Sequence, residues 1–292
     1  MNEPGASSER PSLFYPRRRL LTGRRALAAS ALSSAALVVA IVGVFFWAPG
    51  GAQVREFFFN PHEMWLSLTG DPSKGLSSVG TALVTNIWMF LAAEVLVLTF
   101  GLIIAATRLA TSPVAAPFRL LATLYTDLFR GIPILLVILM VGFGLPALNL
   151  GWVSSQSPAV YGVAALTITY SAYVAEVYRA GIVAVPHGQL LAARSLGLTR
   201  TATLRRVVLP QAVRTVVPPL LNDFISLQKD TALVSTLGAV EATRAAQIFG
   251  STEFNFSGYV VAAALFLLIT IPLTRYTDRL MERDRLKRLA GS

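Results

Sequence analysis

Hydrophobic positions in this chain do not alternate with polar ones at strand spacing. They fall in long, mostly uncharged blocks separated by polar or basic segments. Six such blocks stand out, at residues 26–48, 80–107, 120–148, 159–183, 216–237 and 259–280. Each is long enough for a helical membrane span, the first reaching about 34 Å at 1.5 Å per residue. Backbone polar groups in lipid must be satisfied within their own segment, and no barrel-like alternation is present. The pattern therefore predicts an all-α polytopic membrane protein with about six transmembrane helices.

Composition agrees. Of 292 residues, 54% are hydrophobic and only 14% charged, against about 25% charged in an ordinary soluble domain. The net charge of +10 would invite nucleic acid in a soluble chain, but here position along the chain decides its meaning. Arg17, Arg18, Arg19, Arg24 and Arg25 precede the first block, and Arg275, Arg279, Arg283, Arg285, Lys287 and Arg288 follow the last. Such flanks are cytoplasmic, with anionic membrane lipid rather than nucleic acid as their partner. Six spans then put both termini inside. Arg108 and Arg119 fall in the second inner loop and Arg194, Arg200, Arg205, Arg206 and Arg214 in the third, while the outer loops carry only Arg55, Lys74 and, on this reading, Arg244.

The expected organisation is a basic tail at 1–25, an anchor at 26–48, an extracytoplasmic loop at 49–78, a transmembrane domain at 79–283 and a basic tail at 284–292. A cleaved signal peptide is the rival for the first block, but its apolar stretch normally runs only about 7 to 15 residues. Phe57, Phe58, Phe59 and Trp65 in the outer loop suit a membrane interface. Pro218 and Pro219 are expected to break the start of the fifth helix.

The segment between the fourth and fifth spans is the most informative. It reads Gln189-Leu190-Leu191-Ala192-Ala193-Arg194-Ser195-Leu196-Gly197, then, after nine residues, Val207-Val208-Leu209-Pro210. Leu190 to Leu196 can make one or two helical turns, Ala192 and Ala193 permit close approach, and Gly197 suits a C-terminal cap. The segment resembles the cytoplasmic loop of permease subunits of binding-protein-dependent ABC importers, where a Glu-Ala-Ala, three residues, Gly pattern forms a helix that docks on an ATPase. Leu191 stands where the family has its Glu, so docking here must proceed without that carboxylate. Phe129-Arg130-Gly131-Ile132-Pro133, Ala172-Tyr173-Val174-Ala175-Glu176 with Arg179-Ala180-Gly181-Ile182, and Phe224-Ile225-Ser226-Leu227-Gln228-Lys229-Asp230-Thr231 resemble the polar-amino-acid branch of the same family. The likeness covers about seven-tenths of the chain, residues 78–283.

This resemblance implies a type I importer permease fold in a prokaryotic inner membrane. It also implies cytoplasmic ABC ATPase subunits, a second permease copy or homologue, and an extracytoplasmic solute-binding protein as partners. Gln189, Leu191, Ala192, Ala193, Arg194 and Gly197 become the coupling candidates.

Ionisable residues inside spans are costly, about 2.5 to 3.5 kcal/mol each at the bilayer centre, and so should line a cavity. Glu94, Tyr173, Glu176, Asn222, Asp223, Ser226, Lys229 and Asp230 are the candidates for a substrate path. On a helix Asp223, Ser226 and Asp230 share one stripe, and Asn222, Ser226 and Lys229 an adjoining one. A structural reading competes at several positions: Glu176 with Arg179, and Asp127 with Arg130, are three apart and so placed to pair. Lys229 and Asp230 diverge by about 100° and should find different partners.

No Gly-x-x-x-x-Gly-Lys-Ser/Thr motif or nucleophile motif occurs, so an enzyme is not indicated and ATP must be hydrolysed by a partner. The chain has no cysteine and two histidines, His62 and His187, far apart in sequence, so neither a metal site nor a cofactor is expected. A stand-alone secondary transporter or channel using intramembrane carboxylates is the alternative.

Overall fold

A computed structural model describes residues 24–290. The N-terminal tail expected at 1–25 falls almost wholly outside the described residues. The chain divides into two units, Met1–Arg55 and Glu56–Ser292. The first contains α1 (Arg24–Trp47), whose apolar run is Ala28–Val44. The division falls within α2 (Gly51–Phe59).

In the larger unit, three described helices are long and apolar enough to cross a membrane: α4 (Val79–Leu109), α7 (Pro158–Val183) and α12 (Ser257–Ala290). Ser78 caps α4 by accepting from Thr81 N–H at 3.0 Å. The block read as one span at 120–148 is instead two helices, α5 (Ala116–Gly131) and α6 (Ile134–Ala147), bent by 109°. The residue before a proline is pushed out of the helical region, and Ile132 sits at φ −92°, ψ 132° before Pro133.

The fifth block also differs from its expectation. α10 (Leu209–Asp230) begins seven residues earlier and runs through Pro218 and Pro219 rather than starting at them. The rest of the block, Thr231–Leu237, is a 3-10 helix ended by Gly238 at φ 86°.

α7 lies at the centre of this unit, in contact with α4, α5, α6 and α10. The core gathers Met89, Phe90 and Val97 of α4, Val137 and Ile138 of α6, and Leu166 and Val174 of α7. Lipid supplies little hydrophobic force between helices, so close approach must do the work, and small residues permit it. At Gly101 a Cβ would lie 2.6 Å from Val174 Cγ1, which is why α4 and α7 need glycine there.

The outer loop read at 49–78 is largely helical. α3 (Pro61–Thr69) is capped by Asn60 and lays Met64 and Leu68 against a second cluster containing Val261 and Leu265 of α12. Completing that cluster is an alanine-rich helix with no counterpart in the sequence reading, α11 (Ala242–Glu253).

Candidate functional site

The polar stripe of α10 faces α7 across a cavity of about 550 Å³. Asp223, Ser226, Lys229 and Asp230 line one side, and Thr169, Tyr170 and Tyr173 the other. The α5–α6 bend, residues 130–134, closes the third side, so the turn forced by Pro133 brings backbone to the cavity wall. Both signs of charge are present, with Asp223 and Asp230 opposed by Arg130 and Lys229.

The groups in this cavity are unevenly satisfied. Tyr170 donates its hydroxyl to Asp230 Oδ2 at 2.7 Å, which anchors that carboxylate to α7. Arg130 places its guanidinium over the Tyr173 ring, 5.9 Å from the centroid, and Tyr173 donates to the Arg130 carbonyl at 3.3 Å. In contrast, Asp223 Oδ2 and Thr169 Oγ1 are buried with no hydrogen-bond partner among the described residues. Burying an unpaired polar atom is costly, so these two are the groups a polar ligand would relieve.

A second cavity of about 390 Å³ adjoins the first, sharing Arg130, Tyr173 and Asp223 and adding Glu176, Thr215 and Pro219. Glu176 is held by two arginines: Arg108 donates to Oε2 at 2.7 Å, and Arg179 donates to Oε1 at 2.5 Å and Oε2 at 3.1 Å. The expected pairing of Glu176 with Arg179 is therefore present, but Arg108 at the end of α4 extends it into a clamp across α4 and α7.

Other expectations fare differently. Asp127 is exposed and makes no ion pair with Arg130, whose partner is Tyr173 instead. Asn222 is exposed and lines neither cavity. Glu94 is half-buried on α4 and also outside both, though within electrostatic reach of Asp223. Lys229 and Asp230 line the same cavity, and it is Asp230 that Tyr170 engages. Arg130 sits in a motif already singled out but was not read as a site residue; Tyr170, one helical turn from Tyr173, could have been found by that spacing.

A buried polar knot had no signal in the sequence reading. Glu241, fully buried, caps α11 by accepting from Thr243 N–H at 2.9 Å and Arg244 N–H at 2.8 Å. Asn86 of α4 donates to Glu241 Oε2 at 2.8 Å and to Thr231 Oγ1 at 3.1 Å, and accepts from Ala242 N–H at 3.0 Å.

The segment after α7 forms α8 (His187–Ser195), then α9 (Arg200–Thr203) and a π-helical turn, Leu204–Val208, leading into α10. Gly197 adopts φ 82°, with its N–H donating to Arg194 O at 2.9 Å and Leu198 N–H to Ala193 O at 3.2 Å. That pair of bonds is the Schellman ending glycine favours. Gln211 of α10 donates to Gln189 Oε1 at 2.6 Å, fastening α8 to α10. Ala193 is buried against this chain itself, so of the two alanines only Ala192 lies open, with Leu191, Arg194 and Leu196.

The architecture and motifs have counterparts in known proteins. A family model described as the binding-protein-dependent transport system inner membrane component matches residues 97–285. The nopaline transport system permease protein NocQ of Agrobacterium fabrum is 38% identical over 181 residues, covering 59% of this chain and 75% of that protein. The arginine transport system permease protein ArtQ of Bacillus subtilis is 33% identical over 186 residues, covering 64% and 82%. Among solved structures, an amino acid ABC transporter with histidines superposes with TM-score 0.64 at 33% identity, over 70% of this chain and 93% of that one. The MetNI methionine ABC transporter, at 20% identity and TM-score 0.56 over 77% of this chain and 99% of that one, shares the fold. The chain therefore belongs to the family of binding-protein-dependent transport system inner membrane components and is a permease subunit of an ABC importer.

Proposed function

We propose that this permease provides the translocation path for a polar amino acid, and that the α7–α10 cavity is where the solute is held during passage. The observation that carries this reading is the charge layout of the cavity. An amino acid is a zwitterion, and Arg130 and Lys229 stand available for its carboxylate while Asp223 stands available for its ammonium group. Tyr173 and Ser226 add polar contacts, and Glu176 lies in the adjoining cavity along the same path. The volume lies within the range of about 300 to 1,000 Å³ typical of small-molecule sites. The relatives named for nopaline and arginine transport support the substrate class.

The chain works with two cytoplasmic ATPase subunits, a second permease copy or homologue, and an extracytoplasmic solute-binding protein. Both termini face the cytoplasm of a prokaryotic cell, and 26–48 serves as an extra anchor before the transport domain. ATP binding closes the ATPase pair, and α8, clamped to α10 through Gln189 and Gln211, passes that movement to the helix that lines the cavity. Gln189, Ala192, Arg194 and Gly197 shape that contact, and Leu191 meets the ATPase by apolar packing where relatives of the family use Glu.

Purification of the tagged chain from native membranes in mild detergent tests the assembly. ATPase subunits should co-purify, and ATP should drive uptake of a polar amino acid by the reconstituted complex. Recovery of the chain alone, with solute movement in ATP-free liposomes, would contradict it.

A further inference from the structure

A second charged site lies beside the translocation path, where the ends of three helices meet. Arg108 in the last turn of α4, Arg119 in the first turn of α5 and Arg179 near the end of α7 line one cavity of about 500 Å³, together with Ala116, Leu120 and Thr123. Glu176 neutralises one charge by accepting from both Arg108 and Arg179. Three guanidiniums against that one carboxylate leave two positive charges facing the cavity. Each guanidinium carries N–H donors in a planar fork suited to phosphate. Arg119 spends Nη1 on the Ala110 carbonyl at 2.5 Å, and Arg108 spends Nη1 on Glu176. Nε and Nη2 of both residues make no further hydrogen bond among the described residues.

The surroundings point to the kind of anion. Leu120 lines the cavity, and Leu124 and Leu128 continue its stripe along α5, all three more than half exposed at 61%, 56% and 55%. Phe118 and Val114 beside them are also exposed. A free anion gains nothing from such a stripe. A phospholipid does, because its phosphate reaches the guanidiniums while an acyl chain lies along the leucines. α7 runs from this cavity directly into α8, so the site is at the membrane face that carries the coupling segment. Basic pockets between helices at that face are where anionic headgroups bind.

We infer that Arg108, Arg119 and Arg179 form a binding site for the phosphate of an anionic phospholipid, with the Leu120–Leu124–Leu128 stripe receiving its acyl chain. Arg108 and Arg179 also hold Glu176, which lines the smaller path cavity. A bound headgroup would thus bear on the clamp that fixes α4 to α7.

The test is native mass spectrometry of the full chain in its purified assembly, titrated with phosphatidylglycerol, phosphatidylcholine and soluble glycerol phosphate. Arg119 is the residue to change, because it makes no contact with Glu176. Phosphatidylglycerol should bind one site in preference to phosphatidylcholine, and Arg119→Gln should weaken that binding roughly tenfold, the loss of one charge-assisted contact. Arg119→Lys should keep part of it. Equal binding of the two lipids, or phosphatidylglycerol binding unchanged in Arg119→Gln, would overturn the site. Competition by glycerol phosphate at matching concentration would mean a free-anion site and refute the lipid. Loss of a partner subunit in Arg119→Gln with lipid binding intact would mark the patch as a protein interface and likewise refute it.

Discussion

Two clusters of buried polar groups in this permease share the same chemistry and differ in how it is satisfied. Around Glu241, both carboxylate oxygens and the Asn86 amide are matched to donors and acceptors from α4, α11 and the 3-10 helix between α10 and α11. Around Asp223, one carboxylate oxygen and the neighbouring Thr169 hydroxyl have no partner among the described residues, and a cavity opens in front of them. A closed network contributes to a single packed arrangement, whereas an open one carries a cost that a ligand can offset. Glu241 is thus fully matched by its own fold, whereas Asp223 keeps an unmatched oxygen beside a cavity.

The sharpest way to break this comparison is to exchange the consequences of mutation. Glu241→Ala removes the cap of α11 and strips partners from a buried amide, an expected loss of about 2–4 kcal/mol. The variant should be scarce in membranes and unfold at a clearly lower temperature in detergent. Normal abundance with an unchanged melting temperature would remove the structural role. Asp223→Asn should do the opposite, leaving abundance normal and lowering uptake more than tenfold. A fall in abundance matching that of Glu241→Ala would make the two clusters equivalent.

The coupling segment gives a smaller effect. Gly197 is in the left-handed region, where a side chain other than Asn costs about 1 kcal/mol. Gly197→Val should reduce uptake and solute-stimulated ATPase activity several-fold with insertion intact, and Gly197→Asn should reduce them less. Identical activity for both would separate α8 geometry from coupling.

The smallest effect belongs to the turn before α4. Asp71 accepts from Ser73 N–H at 3.0 Å and from the Ser73 hydroxyl at 2.6 Å, and these bonds hold its carboxyl below the ordinary value of 3.8. A depressed carboxylate stabilises above its unfolded pKa and loses that contribution as pH falls through its folded value. Amide protection at Ser73 should therefore be constant at neutral pH and fall only below about 3.8. Protection that already declines at pH 6 would point to another group.

What the sequence disclosed, and what it hid, follows the same division between local and distant causes. α4, α7 and α12 were legible because a predominantly apolar helix of membrane-spanning length has few other places to go. The stripe of Asp223, Ser226 and Asp230 was legible from helical spacing alone. The α5–α6 bend was missed because the two helices together are long and apolar enough to look like one span, although Asp127, Arg130 and the Ile132-Pro133 pair carried the local signal. Pro218 and Pro219 misled in the other direction: the chain keeps α10 helical through both. α11 was overlooked because it lies outside the long apolar blocks, although Ala242, Ala245, Ala246 and Phe249 recur at helical spacing, and the role of Glu241 was hidden because its partner Asn86 is 155 residues away. Glu94 is a path candidate from its depth in the second block; the fold puts it on α4, half-buried and outside the lining of both cavities.

The chain has no native cysteine, so single-cysteine variants can be read without background. Ser226→Cys on the cavity face of α10 and Thr231→Cys inside the satisfied knot should be exposed in turn to a membrane-impermeant thiol reagent, in the assembled importer, with and without ATP and solute. The cavity position should react, with protection by the transported amino acid, while the knot position stays unreactive throughout. Equal reactivity at both positions, or a Ser226→Cys thiol that no solute protects, would contradict the assignment of the α7–α10 cavity as the translocation path.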